Sequence, residues 1–267
     1  MILLAVIEKE FRMFFRYPLR VVSSILVGLV FLLQFVFFGQ AVLGGRYSQL
    51  LAASTGMGDY PTYALIGYVL WWVSVSPMEA YVWGVRRELQ RGTFEMNVLS
   101  SARILELLFG LAVSWLLMDS VLMGVVFAIG ALIFDIPITI SVVLRSVPVI
   151  VASLFAFLGF GLIFAGLVML LKNIGPFAQI FEFSMLFFSG VFFPLSVMPK
   201  WLFAFSKIFP LTHAASAVRA IFVGKAYAEI QGEIIWLLFL IPFYWIIGYI
   251  LFKWAEKITR VVGYGGY

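Results

Sequence analysis

Apolar positions run along the chain in long unbroken stretches, and charged positions fall in short clusters between them. The 25 residues 21–45 contain no charged side chain, more than the roughly 20 apolar residues that a helix needs to cross a hydrocarbon core of about 30 Å. Reading the charge-poor runs as helices predicts spans near 21–43, 62–85, 105–134, 148–171, 175–193 and 234–252. Residues 2–17 follow another pattern. Leu3, Ile7, Phe11 and Phe14 share one face of a helical wheel while Glu8, Arg12 and Arg16 step along the other, as in a helix that lies in the membrane interface. The expected fold class is an all-α integral membrane protein with six transmembrane helices and an N-terminal interfacial helix over 1–20.

Two connections depart from short polar loops. The link 86–103 is long, charged and free of proline, so it can form a helix. Segment 194–233 is apolar yet cut by Pro194, Pro199 and Pro210, and proline at that density interrupts a regular span. The pieces 201–209 and 212–222 are too short to cross a bilayer but apolar enough to enter it, predicting a re-entrant or surface-lying pair of short helices. Irregular backbone at membrane depth is tolerated only inside protein or beside a wet cavity, so this pair is a candidate gate.

Composition narrows the function classes. The chain is 64% hydrophobic, 18% aromatic and only 12% charged. Six spans within 267 residues leave no room for a soluble catalytic domain of about 100 residues, so the whole of 1–267 reads as one membrane domain and any energy source is expected on another chain. A net charge of +5 raises nucleic acid, but basic residues beside spans report orientation and attraction to anionic lipid, and nucleic acid is set aside. With six spans both termini share a side. That side carries Lys9, Arg12, Arg16, Arg20, Arg86, Arg87, Arg91, Arg103, Lys172, Lys253, Lys257 and Arg260; the other has Arg46, Arg145, Lys200, Lys207, Arg219 and Lys225. The excess puts both termini in the cytoplasm of a multi-pass cell-membrane protein. Trp71, Trp72, Trp83, Trp201, Trp236 and Trp254 are assigned to loops, span ends and the aromatic belt. The first apolar run follows twenty residues of mixed charge and is expected to remain a span, not a cleaved signal.

Candidate chemistry is sparse. There is no cysteine and a single histidine, His213, which excludes thiol chemistry and makes a His-based or metal site unexpected. No P-loop is present, since Gly224-Lys225-Ala226 lacks the glycine-rich loop and the hydroxyl. No helical His-Glu-x-x-His or serine elbow occurs either. Three acids fall inside predicted spans: Glu79, Asp119 and Glu182. A carboxylate at that depth costs about 2.5–3.5 kcal/mol and is a functional candidate; the plainer reading is a protonated or bonded group that locks helix packing. Ala152 with Ala156, and Gly161 with Ala165, would let the fourth span pack closely on a neighbour. The 29 phenylalanines face lipid or line an apolar path.

Two strings carry a family resemblance. Arg87-Glu88-Leu89-Gln90-Arg91-Gly92-Thr93-Phe94-Glu95, followed by Val98-Leu99-Ser100, resembles the Glu-x-x-x-Gly-Thr-x-Glu coupling helix of permease subunits in type 2 ABC exporters. Phe188-Ser189-Gly190-Val191-Phe192-Phe193-Pro194-Leu195, with Met198-Pro199-Lys200-Trp201-Leu202, Pro210-Leu211-Thr212-His213-Ala214 and Arg219, is similar to that family's outer gate between spans five and six. Ser101-Ala102 departs from relatives that place a proline after the serine. The resemblance implies ATPase coupling by Arg87, Glu88, Arg91, Gly92, Thr93 and Glu95, and an outer gate built on Pro194, Pro199, Trp201, Pro210, His213 and Arg219. It also implies two nucleotide-binding ATPase partners that hold the ATP and magnesium, no cofactor on this chain, and a homodimer or close heterodimer of permeases. The implied activity is export of an amphipathic or lipid-linked substrate, the string Ser189-Gly190-Val191-Phe192-Phe193-Pro194 being closer to the drug-exporter branch. Two rivals stay open: an ion-coupled secondary transporter or channel using Glu182 and Asp119, and a membrane scaffold or enzyme subunit.

Overall fold

The computed structural model describes residues 2–90, 104–171 and 174–262, with the side chains of 2, 88–90 and 260–262 outside that description. The described residues form helices and connecting turns, with one isolated bridge between Tyr47 and Asp59. In chain order they are α1 (Ile2–Arg16), α2 (Pro18–Leu43), α3 (Gln49–Thr55), α4 (Tyr60–Gln90), α5 (Ile104–Ile133) and α6 (Ile140–Leu171). Then come α7 (Gly175–Phe188), α8 (Lys200–Ser206), α9 (Pro210–Phe222) and α10 (Gln231–Val262), with 3₁₀ turns at Leu195–Val197 and Tyr227–Glu229. Local chemistry sets several boundaries. Pro18 and Pro210 open α2 and α9, where the missing N–H has no intrahelical partner to lose. Gly44 and Gly56 close α2 and α3 in left-handed geometry.

Among the described residues four helices are long and apolar enough to cross a membrane: α2, α5, α6 and Gln231–Thr259 of α10. The predicted spans near 62–85 and 175–193 are the two outside that set. Helix α7 has 14 residues, about 21 Å at 1.5 Å per residue, short of a hydrocarbon core. Helix α4 has 31 residues and ample length, but its tyrosines, serines and Pro77 make it less apolar. Its position explains the composition. It packs on α2, α5, α6, α7 and α9, and Tyr63, Tyr68, Tyr81, Ser74 and Ser76 are buried. A helix enclosed by protein needs no lipid-facing surface and can carry polar groups toward its neighbours.

Burial then grades the lipid-like helices. In α6 67% of the most apolar window is buried, against 17% in α2, so α6 is an interior helix and α2 a peripheral one. The tightest seam joins α6 and α10, which run in parallel. A Cβ on Gly248 would sit 2.4 Å from the Gly159 carbonyl, and one on Gly159 would sit 2.8 Å from the Trp245 amide. Glycine here permits backbone-to-backbone contact of the kind that associates membrane helices. Gly161 does the same against Tyr81 and Met78 of α4, while Ala156 and Ala165 are fully buried.

Helix α1 packs along the N-terminal half of α5, where Val6 and Leu3 close over Gly110. The face turned inward includes Glu10, 7% exposed and 3.9 Å from Lys9. The helical wheel put Glu8, Arg12 and Arg16 on the polar face, which they keep as exposed residues, but gave no place to Glu10. Trp71 and Trp72 lie within α4, not at its ends, and their indoles serve contacts between helices.

The α6–α10 seam is directly testable. Gly248→Leu should force the two helices apart and lower the thermal midpoint of the detergent-solubilised protein by an amount equivalent to about 1–3 kcal/mol. Gly232→Leu, with no neighbour within 4 Å of the added Cβ, is the matched control and should leave the midpoint nearly unchanged.

Candidate functional site

The three intramembrane acids come from separate helices, α4, α5 and α7, and the fold gathers them. Ser76 Oγ donates to Asp119 at 2.5 Å, Trp72 bonds the same carboxyl, and Trp71 Nε1 donates to the Glu182 carbonyl at 3.1 Å. The charge of Asp119 reaches Glu79, and that of Glu79 reaches Glu182. Arg20, near the start of α2, is the basic group whose field reaches Asp119. No group of three metal-ligating side chains exists among the described residues, and the acids form an electrostatic string. Sequence separation hid this convergence, because nothing in the spacing of 79, 119 and 182 says which helix faces meet.

Of the charged link, Arg87 is described: its guanidinium lies 5.2 Å from the centre of the Trp115 ring, as Arg86 does over Trp83. The Glu88 side chain and Arg91, Gly92, Thr93 and Glu95 lie outside the described residues.

The far end of the bundle, opposite the termini, holds the second site. Pro199 precedes α8 and Pro210 opens α9. Trp201 is 70% exposed, whereas α9 is inserted between α4, α6 and α10 with His213 and Arg219 buried. Arg219 Nε and Nη2 donate to the Tyr63 carbonyl at 3.3 and 2.9 Å. Nη2 also donates to Val191 O at 2.7 Å, and Nη1 to Gly190 O at 2.7 Å. The guanidinium carbon lies 3.4 Å from the centre of the Tyr63 ring, whose hydroxyl donates to the same Gly190 carbonyl at 2.8 Å. Gly190 has φ 69°, a conformation that glycine adopts without strain, and the turn presents its carbonyl to Arg219. A Cβ on Gly67 would fall 2.3 Å from Arg219 Nη2 and 2.4 Å from Val191 O, so that glycine makes the space. One side chain thus joins α4, α9 and the end of α7. Arg219 and the Gly190 string were legible in sequence; Tyr63 and Gly67 carried no signal.

His213 ties α9 to α10. Its Nδ1 is 2.6 Å from Glu233 Oε2, its Nε2 is 2.9 Å from the Lys207 carbonyl, and its ring stacks on Trp236. Pro194, His213 and Arg219 line one cavity of about 660 Å³, together with Ser189, Lys200, Lys207, Lys225, Glu229 and Glu233. Beside it, Arg46 Nε donates to Asp59 at 2.6 Å and Arg46 Nη2 to the Phe134 carbonyl at 2.6 Å, clipping the α2–α4 connection to the end of α5. Partial burial alone would raise the Asp59 carboxyl, but hydrogen bonds from Arg46 and Thr62 outweigh it and hold the group below its ordinary value.

The profile of the ABC-2 type transporter family matches residues 2–223, from α1 to the end of α9. Two curated relatives, each called "Probable multidrug ABC transporter permease YbhR", from Escherichia coli strain K12 and Escherichia coli O157:H7, are 25% identical over 185 residues. That alignment covers 68% of this chain and 50% of either relative, so the chain spans about half the length of the curated relatives it matches.

Two outcomes are expected from this geometry. Gly67→Ala should displace the Arg219 guanidinium, and Arg219→Met should leave buried carbonyls without their donors. Each should lower the melting midpoint, at about 1–3 kcal/mol for each unsatisfied group, and Arg219→Met should lower it further than Gly67→Ala. For the Arg46–Asp59 clip the sign follows from a depressed carboxyl. Its stabilisation is complete above the ordinary value of 3.8 and is lost as pH falls through the lower value in the folded protein. Melting midpoints recorded between about pH 3 and 6 should therefore fall less steeply on the acid side in Asp59→Asn than in the unaltered protein.

Proposed function

The chain belongs to the ABC-2 type transporter family, and on that premise we propose that it is the membrane-spanning subunit of an ATP-driven exporter. The observation that carries this reading is the extent of the family match. Residues 2–223 include the interfacial helix, the charged link and both short helices at the far end. The bundle also fits the role. Three of the four long apolar helices, α2, α5 and α6, pack on α4, and the chain has no nucleotide-binding string of its own. In this reading α4 and α7 complete six spans, both termini face the cytoplasm, and two permeases assemble above two ATPase subunits. ATP and magnesium then belong to the ATPases.

The link 86–103 is the part that meets the ATPase. This charged segment, which connects α4 to α5 in the chain, docks into a groove on a soluble partner and passes its motion to the membrane half. Arg87, Glu88, Arg91 and Glu95 supply polar contacts, and Gly92 and Thr93 complete the family string. Motion entering α4 reaches the far end through Tyr63 and Arg219, which join α4 to α9, so α8 and α9 move as the outer gate. The cargo is amphipathic or lipid-linked, in keeping with relatives named for multidrug transport.

One observation favours a second reading. The charges of Asp119, Glu79 and Glu182 are coupled in sequence across three helices, an arrangement that suits proton or cation relay.

Co-purification from native membrane separates the two readings. An ATP-hydrolysing subunit should come with the chain, and Gly92→Arg or Glu95→Arg should release it or uncouple its hydrolysis from transport. Recovery of no P-loop protein from gently solubilised membrane would overturn the exporter reading. Proton-coupled uptake by the chain alone, abolished in Glu182→Gln, would put the second in its place.

A further inference from the structure

The far-end cavity holds positive charge that its own pairing does not balance. Arg219, Lys200, Lys207 and Lys225 line it, against Glu229 and Glu233. Glu233 engages His213, and Glu229 accepts from the Ala226 amide at 2.9 Å; among the described residues neither forms an ion pair with a lysine or with Arg219. Arg219 is 5% exposed, and the ionisable groups whose fields reach it are Tyr63 and Tyr60, not a carboxylate. Guanidinium has five N–H donors. Four of them go to the Tyr63, Gly190 and Val191 carbonyls, leaving one Nη1–H without an acceptor among the described residues. A buried charge left without its counter-ion is strongly unfavourable.

A second observation lies on the same wall. Ser189 lines the cavity and is 1% exposed, yet its Oγ has no hydrogen-bond partner. It stands one residue before the carbonyl that Arg219 Nη1 holds. Buried hydroxyls are ordinarily bonded, so an unpartnered O–H and an unpartnered N–H on one cavity wall point to a missing acceptor. The missing group has the chemistry of an oxyanion: several lone pairs for convergent donors, and negative charge for the arginine.

We propose that this cavity binds a phosphate-type oxyanion, gripped by Arg219 Nη1 and Ser189 Oγ and drawn in by Lys200, Lys207 and Lys225. A cavity of about 660 Å³ accommodates such a group together with the body of a headgroup. The inference goes beyond the exporter reading: it assigns a ligand chemistry to one site and needs neither an ATPase nor transport.

The test titrates the purified full chain in neutral detergent with dihexanoyl phosphatidylglycerol, dihexanoyl phosphatidylcholine and inorganic phosphate. The signal is tryptophan fluorescence, because Trp236 stacks on a ring that lines the cavity. Phosphatidylglycerol should bind about tenfold more tightly than the zwitterionic lipid, and Ser189→Ala combined with Lys200→Gln and Lys207→Gln should weaken it about tenfold. These substitutions remove an unpartnered hydroxyl and two surface charges, so the fold is retained; an unchanged melting midpoint verifies that. Inorganic phosphate that displaces the lipid assigns the site to a soluble anion. Phosphatidylglycerol binding that phosphate does not displace assigns it to a lipid headgroup, and either result supports the oxyanion. Equal binding of the two lipids, or unaltered affinity in the variant, overturns it. Such a failure would leave ATPase co-purification untouched, so the two conclusions fall separately.

Discussion

Arg219 is the group on which the far end of the bundle depends. A guanidinium in a protein interior needs acceptors for a rigid fork of donors, and this one finds them in backbone carbonyls of Tyr63, Gly190 and Val191. Those carbonyls come from the first turn of α4 and from the turn that ends α7. Helix geometry leaves carbonyls free at the C-terminal end of α7, whereas the Tyr63 carbonyl at the start of α4 accepts the guanidinium with its second lone pair. The tie therefore joins three segments through a single charge, that of Arg219 on α9, and Gly67 and Gly190 are needed so that backbone and guanidinium meet at hydrogen-bond distance. The His213–Glu233 contact adds α10 to the same assembly. The short helices α8 and α9 do not float on the bundle; α9 is anchored within it, and α8 follows with Trp201 outward.

The second constraint is the enclosure of α4. Because other helices shield it, this helix carries most of the polar chemistry at membrane depth: Trp71, Trp72, Ser76 and Glu79 meet Asp119 and Glu182 there. Lipid-facing helices obey a different rule and are apolar over their exposed faces, as the outward residues of α2 such as Phe37, Phe38 and Val42 illustrate. A helix that touches both the acid string and the Arg219 tie, and that leads into the charged link at 86–103, is placed to pass motion along its whole length.

Much of this organisation is written in the pattern of residues. Charge-poor runs long enough for a bilayer identify α2, α5, α6 and α10, because lipid leaves backbone polar groups only the helix in which to pair. The prolines at 194, 199 and 210 divide the far-end segment where α8 and α9 begin, since proline at a first turn loses no hydrogen bond. The same periodicity overestimated α7. Its apolar run extends to Phe193, yet the helix ends at Phe188, where Ser189 and Gly190 turn the chain toward Arg219.

The sequence by itself determined the solvent, the helical class and the order of long and interrupted segments, because hydrophobicity and proline act locally along the chain. It also marked Glu79, Asp119 and Glu182 as costly charges requiring an explanation, and Arg219 as part of the far-end string. Only the tertiary structure decided what surrounds each of them. Tyr63 and Gly67 became partners of a residue more than 150 positions away, Glu10 turned inward against α5, and Ser189 was left facing a cationic cavity without a partner. Those outcomes depend on which helix faces meet, and a face is assigned only when the whole bundle packs.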